Sequence, residues 1–150
     1  LTVAYRNGIV QDANGNWVEN WQTKARDVSL DRFKQELNDE VTSLFYQYRD
    51  AGTTVTIGGQ QVRIETTHSA QQEVSELVEL LSRRGGNQKV ATRSGSIFTA
   101  DAATAEAMRD AVSDHVSVCW TNDAELRERI DEATTLEQAN SIDLTTGWPG

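Results

Sequence analysis

One cysteine, one proline, one methionine and only three lysines occur in 150 residues. The lone cysteine, Cys119, excludes an internal disulfide and any cysteine-rich zinc module. The lysines (Lys24, Lys34 and Lys89) and the arginines total 14 against 23 acidic groups, a formal charge of -9. Nucleic-acid binding needs clustered cations to neutralise phosphates, so neither duplex nor single strand is an expected partner. No run of about 18 apolar residues occurs, so neither a transmembrane helix nor a membrane partner is expected. No charged-then-apolar stretch opens the sequence, and no secretory leader is expected within it. What is present, 37% hydrophobic and 25% charged residues, suits a folded domain with a modest core and is too apolar for a disordered chain.

Two zones follow. Residues 1–27 carry Asn7-Gly8 and Asn14-Gly15, dipeptides that favour type I′ hairpin turns, among the short runs Leu1–Tyr5, Ile9-Val10 and Trp17-Val18. They read as a β arm that needs something to lie against, anchored by Trp17 and Trp21. Residues 28–150 read as the body. From Ser29, Leu30, Phe33, Leu37, Val41, Leu44, Phe45 and Tyr48 recur at three- and four-residue steps, predicting a long amphipathic helix that stops near Gly52. Alternating β-branched residues on either side of Gly58-Gly59 predict a hairpin. Ser69, with Gln72 three residues on, predicts the cap of a second helix that ends at Gly85-Gly86. A further hairpin is expected through Lys89–Thr92 and Ile97-Phe98. After Asp101 the stripe Met108, Val112, His115, Val116, Cys119, Leu126, Ile130 predicts one long helix or two consecutive ones. Thr134 and Glu137 predict the capping box of a short last helix through Ile142. The class expected is α+β, with long amphipathic helices packed on small antiparallel hairpins and an N-terminal β arm.

Candidate chemistry is sparse. Asp12-x-Asn14-x-Asn16 opens like a calcium loop, but Trp17 stands where glycine is required and Thr23 at the twelfth position. A turn accounts for these residues. His115 and Cys119 are four apart on one helix, yet His68 is the only other histidine and no second cysteine exists, so they read as core. Gly85-Gly86-Asn87-Gln88-Lys89 follows a helix rather than a strand and lacks the phosphate-loop order. Acidic pairs such as Glu36 with Glu40 and Glu125 with Glu128 fall on polar helix faces, and Arg83-Arg84 suit a helix C-terminus. No nucleophile, base and oxyanion site are brought together, so no enzyme, metal or cofactor is expected. Trp148, before Pro149, either docks into its own domain or is offered to a partner, and with Trp17 and Trp21 it completes the candidate docking set.

Several segments together resemble a known family. They are the glycine-turned hairpin ending Val62-Arg63-Ile64-Glu65-Thr66, the helix opening Ser69-Ala70-Gln71-Gln72, and Ile97–Asp101. With them come Ala111-Val112-x-x-His115-Val116-x-x-Cys119-Trp120, Ile130-Asp131-x-Ala133-Thr134 and Gly147-Trp148-Pro149. From about residue 30 to 149 the chain resembles DUF4376, a domain found in proteins of tailed bacteriophages. Trp120 stands where that family usually has phenylalanine. The resemblance brings no catalytic residue. It implies a non-enzymatic structural part of the virion, made in the bacterial cytoplasm and placed in the distal tail, baseplate or tail fibre. Its partners would be other tail or fibre subunits, with self-association beside them. A fibre-assembly chaperone is the alternative, and a receptor- or glycan-binding module a weaker one.

Overall fold

The computed structural model describes residues 2–25 and 28–150. Along them run β1 (Thr2–Gln11), β2 (Trp17–Ala25), α1 (Leu30–Arg49), β3 (Thr53–Ile57), β4 (Gln60–Ile64), α2 (His68–Arg84), β5 (Gln88–Ala91), β6 (Ile97–Ala100), α3 (Ala102–Glu132) and α4 (Leu136–Asn140). The strands pair as three separate antiparallel hairpins, β1-β2, β3-β4 and β5-β6, which with the helices make an α+β chain as expected. Leu1, Arg26 and Asp27 of the expected arm lie outside the described residues.

The arm is a single hairpin, paired from Thr2↔Ala25 to Gln11↔Trp17. Asn7-Gly8 is therefore not a turn: the register shifts between Arg6 and Ile9, and Gly8 at φ +90° makes a bulge inside β1. The turn spans residues 12–16 and is not type I′, since Gly15 is left-handed and Asn14 is not. The Asp12 carboxylate accepts the N–H groups of Asn14 (2.8 Å) and Asn16 (2.9 Å), and this favours a longer loop over the two-residue form. The same device recurs at residues 92–96. There the Thr92 hydroxyl accepts from the Ser96 N–H at 3.1 Å and Gly95 takes the part of Gly15. The two-residue turn with both central residues left-handed is found at Gly58-Gly59.

Helix ends were legible to within two residues. Ser29 caps α1 by accepting from the Arg32 N–H, and Asp101 caps α3 through Thr104. The cap of α2 is Thr67, not Ser69, whose hydroxyl instead bonds Glu73 inside the helix. Thr66 explains the shift. It is fully buried, donates to the Arg49 carbonyl, accepts from the Gly52 N–H, and receives the Gln71 amide on its own carbonyl. The chain must turn into helix directly after that anchor. At α4 the box moves by one residue as well. Thr135 is the cap, and the side chain of Gln138, rather than Glu137, reaches back to Thr134; the helix stops at Asn140, short of Ile142.

Residues 102–132 form one unbroken helix, about 46 Å long at 1.5 Å per residue. It threads every cluster of buried apolar side chains. Near its start Ala105 meets Leu81 of α2 and Ala100 of β6. One turn on, Met108 and Val112 meet Val62 and Ile64 of β4 and Val74 of α2. Towards its end Leu126 and Ile130 meet Phe33, Leu37 and Val41 of α1, closed over by Ala139 and Leu144. Burying a leucine or isoleucine side chain fully stabilises by about 1.5–3 kcal/mol. Arg127 adds a polar clamp: its guanidinium is held by Asp123 at 2.9 Å and donates to the Thr42 hydroxyl and the Asn38 amide oxygen of α1.

Candidate functional site

Midway along α3 the same face carries His115, Cys119 and Asn122, all buried. Two of the three grip another segment. His115 Nε2 lies 2.8 Å from the Tyr48 carbonyl in the last turn of α1, an oxygen that also accepts the Ala51 N–H at 3.2 Å. The Asn122 amide donates to the Thr146 carbonyl at 3.0 Å and so holds the C-terminal segment. Gly147 follows at φ +85°, close enough that a Cβ would sit 2.1 Å from the Asn122 amide oxygen. The chain then delivers Trp148, whose indole N–H donates to the Leu144 carbonyl at 2.8 Å and whose ring stacks on Tyr48 at 5.3 Å, tilted by only 2°. Residues far apart in sequence, His115, Tyr48, Asn122 and Trp148, thus close one seam.

Cys119 lies in that seam with no exposed surface. Burial pushes its thiol up from the ordinary value, against the pull of the nearby Arg49 guanidinium. A thiol held protonated and sealed from solvent is a poor nucleophile. No group of three or more metal-ligating side chains occurs among the described residues, and their buried side-chain polar atoms all have partners.

The expected docking aromatics part company. Trp17 opens β2 just after the arm's loop and is 70% exposed. Trp21 pairs with Arg6 in the backbone register, but its side chain lies outside the described residues. Trp148 is half-buried and occupied by its own chain, the first of the two placements the sequence left open.

Two further aromatics stand on the surface without a sequence signature of docking. Tyr46 and Trp120 are 51% and 61% exposed, and both lean on the buried Phe45 ring, at 5.4 and 4.9 Å. Arg49, paired with Asp50 at 2.7 Å, spreads over the Tyr46 ring at 4.8 Å. Each aromatic is one residue past a stripe position (Phe45 and Cys119), and the resulting 100° turn is the signal that puts it outside. Trp120 also closes one end of a surface groove of about 390 Å³ between α2 and α3. Val74, Val112 and Val116 form its apolar part, while Gln71, Ser113 and Ser117 line it with amide and hydroxyl groups.

Residues 32–146, more than three quarters of the chain, match the family described as domain of unknown function DUF4376. The chain belongs to DUF4376. In this DUF4376 domain the match runs from the first turn of α1 to Thr146, whose carbonyl Asn122 holds, and leaves the N-terminal hairpin outside. No curated protein and no solved structure matches the chain. The His115–Trp120 segment of the domain has a visible use, since it fastens the end of α1 and supports Trp120 on Phe45.

Proposed function

We propose that this DUF4376 chain is a non-enzymatic structural component of a bacteriophage tail, in the distal tail, baseplate or fibre attachment, and that it works by docking to neighbouring subunits. The observation that carries the reading is Trp17. Trp17 stands 70% exposed beside the 54% exposed Ile9 on one face of a two-stranded hairpin, an apolar patch of the kind that marks an interaction site, and such a hairpin is marginal by itself. Trp and Tyr are the side chains that most often anchor protein contacts. The reactive-looking groups of the body support the same reading, because His115 and Asn122 hold the fold together and Cys119 is sealed. The likeness to domains of tailed-phage proteins supplies the setting.

Mass spectrometry of purified virions tests it. The chain should be present in a fixed ratio to known tail subunits, and its absence from the particle overturns the proposal. A chain found only in the infected lysate, with fibres incomplete when its gene is deleted, would replace the structural role with an assembly-chaperone role.

A further inference from the structure

We propose that the groove between α2 and α3 is a saccharide-binding site with Trp120 as its stacking platform. The inference draws on the body of the chain alone and depends neither on the arm nor on the tail reading.

The α3 wall of the groove is built in repeat. Val112, Val116 and Trp120 form one row at four-residue steps, and Ser113, Ser117 and Thr121 form the next, with Arg109 one step before it. Each step is about 6 Å, so an apolar ladder and a hydroxyl ladder run side by side for about 12 Å. Gln71 faces them from α2. The volume of about 390 Å³ falls within the range of small-molecule sites, about 300–1,000 Å³.

The polar groups here are not committed to the fold. Hydroxyls on helices often return to the carbonyl four residues back, as those of Thr42, Ser43 and Ser75 do. The hydroxyls of Ser113, Ser117 and Thr121 bond no described residue. The Gln71 amide nitrogen donates to the Thr66 carbonyl at 2.8 Å, which fixes the side chain and leaves Oε1 as an oriented acceptor. Arg109 gives Nε and Nη2 to the Asp110 carboxylate, at 3.1 and 2.9 Å, and keeps Nη1 as a donor. The indole of Trp120 is backed by the buried Phe45 ring at 4.9 Å while the residue stays 61% exposed, so the platform is set before any ligand arrives.

This set of groups discriminates among ligands. An apolar chain would cover three hydroxyls and Gln71 Oε1 without giving them partners, which is unfavourable. An anion would find one guanidinium already neutralised by Asp110. A sugar ring suits both ladders. Its hydroxyl rim pairs with the Ser, Thr, Gln and Arg groups, and its C–H face lies on the electron-rich face of the indole.

NMR titration of the full chain with neutral trisaccharides of glucose, galactose, mannose and N-acetylglucosamine tests this. At least one should shift the Trp120 indole N–H, identified by its loss in Trp120→Phe, with Kd in about the millimolar range. Read on the amide signals of α3, Trp120→Ala should abolish binding and Trp120→Phe should keep part of it. Ser113→Ala and Ser117→Ala leave the platform in place and should each weaken binding by about two- to tenfold, as loss of one hydrogen bond does. Trp17→Ser should leave it unchanged. The matching polysaccharide, added as competitor, tells a surface glycan, bound at least as tightly as the trisaccharide, from a free sugar, bound alone. If no trisaccharide moves the Trp120 signal up to about 50 mM, the proposal is overturned. Binding that survives Trp120→Ala overturns it as well, and so does an equal response to a neutral, hydroxyl-bearing tripeptide. Virions that contain a chain blind to these sugars would leave the tail reading in place and remove this one.

Discussion

Gly147→Ala turns the seam at Asn122 into a measurable quantity. The new methyl would sit 2.1 Å from the Asn122 amide oxygen and 2.8 Å from its carbon, so the amide must move. Moving it breaks the 3.0 Å bond to the Thr146 carbonyl; a buried polar group losing its partner costs about 1–3 kcal/mol. Residue 147 is also held at φ +85°, where a side chain adds about 1–2 kcal/mol. The sum is about 2–5 kcal/mol, bounded above by the free energy of releasing residues 143–150 altogether. At about 2–4 °C per kcal/mol for a chain of this size, Tm should fall by about 4–20 °C. Circular dichroism gives Tm, and the emission of Trp148, freed from Tyr48, reports release of the segment. The double variant with Asn122→Ala separates the two causes. If the clash is with Asn122, Gly147→Ala should cost clearly less in the Asn122→Ala background than in the wild type. Strict additivity of the two substitutions would refute the reasoning.

Three other outcomes follow from the same geometry. His115→Leu removes one bond to the Tyr48 carbonyl, which keeps the Ala51 N–H, and should cost about 0.5–1.5 kcal/mol in urea unfolding, with His115→Gln recovering part of the loss. Asp12, Asp101 and Asp143 are held below the usual carboxylate range by the N–H of Asn16, the N–H of Thr104 and the hydroxyl of Thr145 respectively. A lowered folded value gives stability that is complete above the unfolded value of about 3.9 and is lost as pH falls through the folded one. Melting between pH 5 and 2 should show that loss, and Asp101→Asn, which keeps a capping oxygen, should flatten it. Cys119 should resist iodoacetamide in the native chain and react once urea unfolds it; stoichiometric labelling of folded protein within minutes would contradict its burial.

Much of this fold could be read from period and punctuation. The stripe Phe33, Leu37, Val41, Phe45 is what α1 buries, because a 3.6-residue repeat leaves one face to the core whatever surrounds it. Caps were harder. Ser69 and Thr67 have equal local claims, and the choice between them was made by Thr66, whose partners lie 14 and 17 residues earlier. Asn7-Gly8 misled for a related reason, since a left-handed glycine serves a bulge as readily as a turn and only the pairing partner decides. Of the candidate surface, Trp17 was visible as an aromatic in a short strand with no core of its own. Trp120 was not, because one step along a helix separates the most buried position from an exposed one, and the groove it closes is made with α2, a segment some 45 residues earlier.

The unbroken length of α3 has an architectural meaning. Each apolar cluster alone is small, but all of them are strung on one rod whose own hydrogen bonds run parallel to its axis. Residues 102 to 132 are joined by a single ladder of such bonds, and the hairpins and shorter helices pack along it. The His115 and Asn122 clasps fasten the end of α1 and the C-terminal segment to that same rod, less than two turns apart.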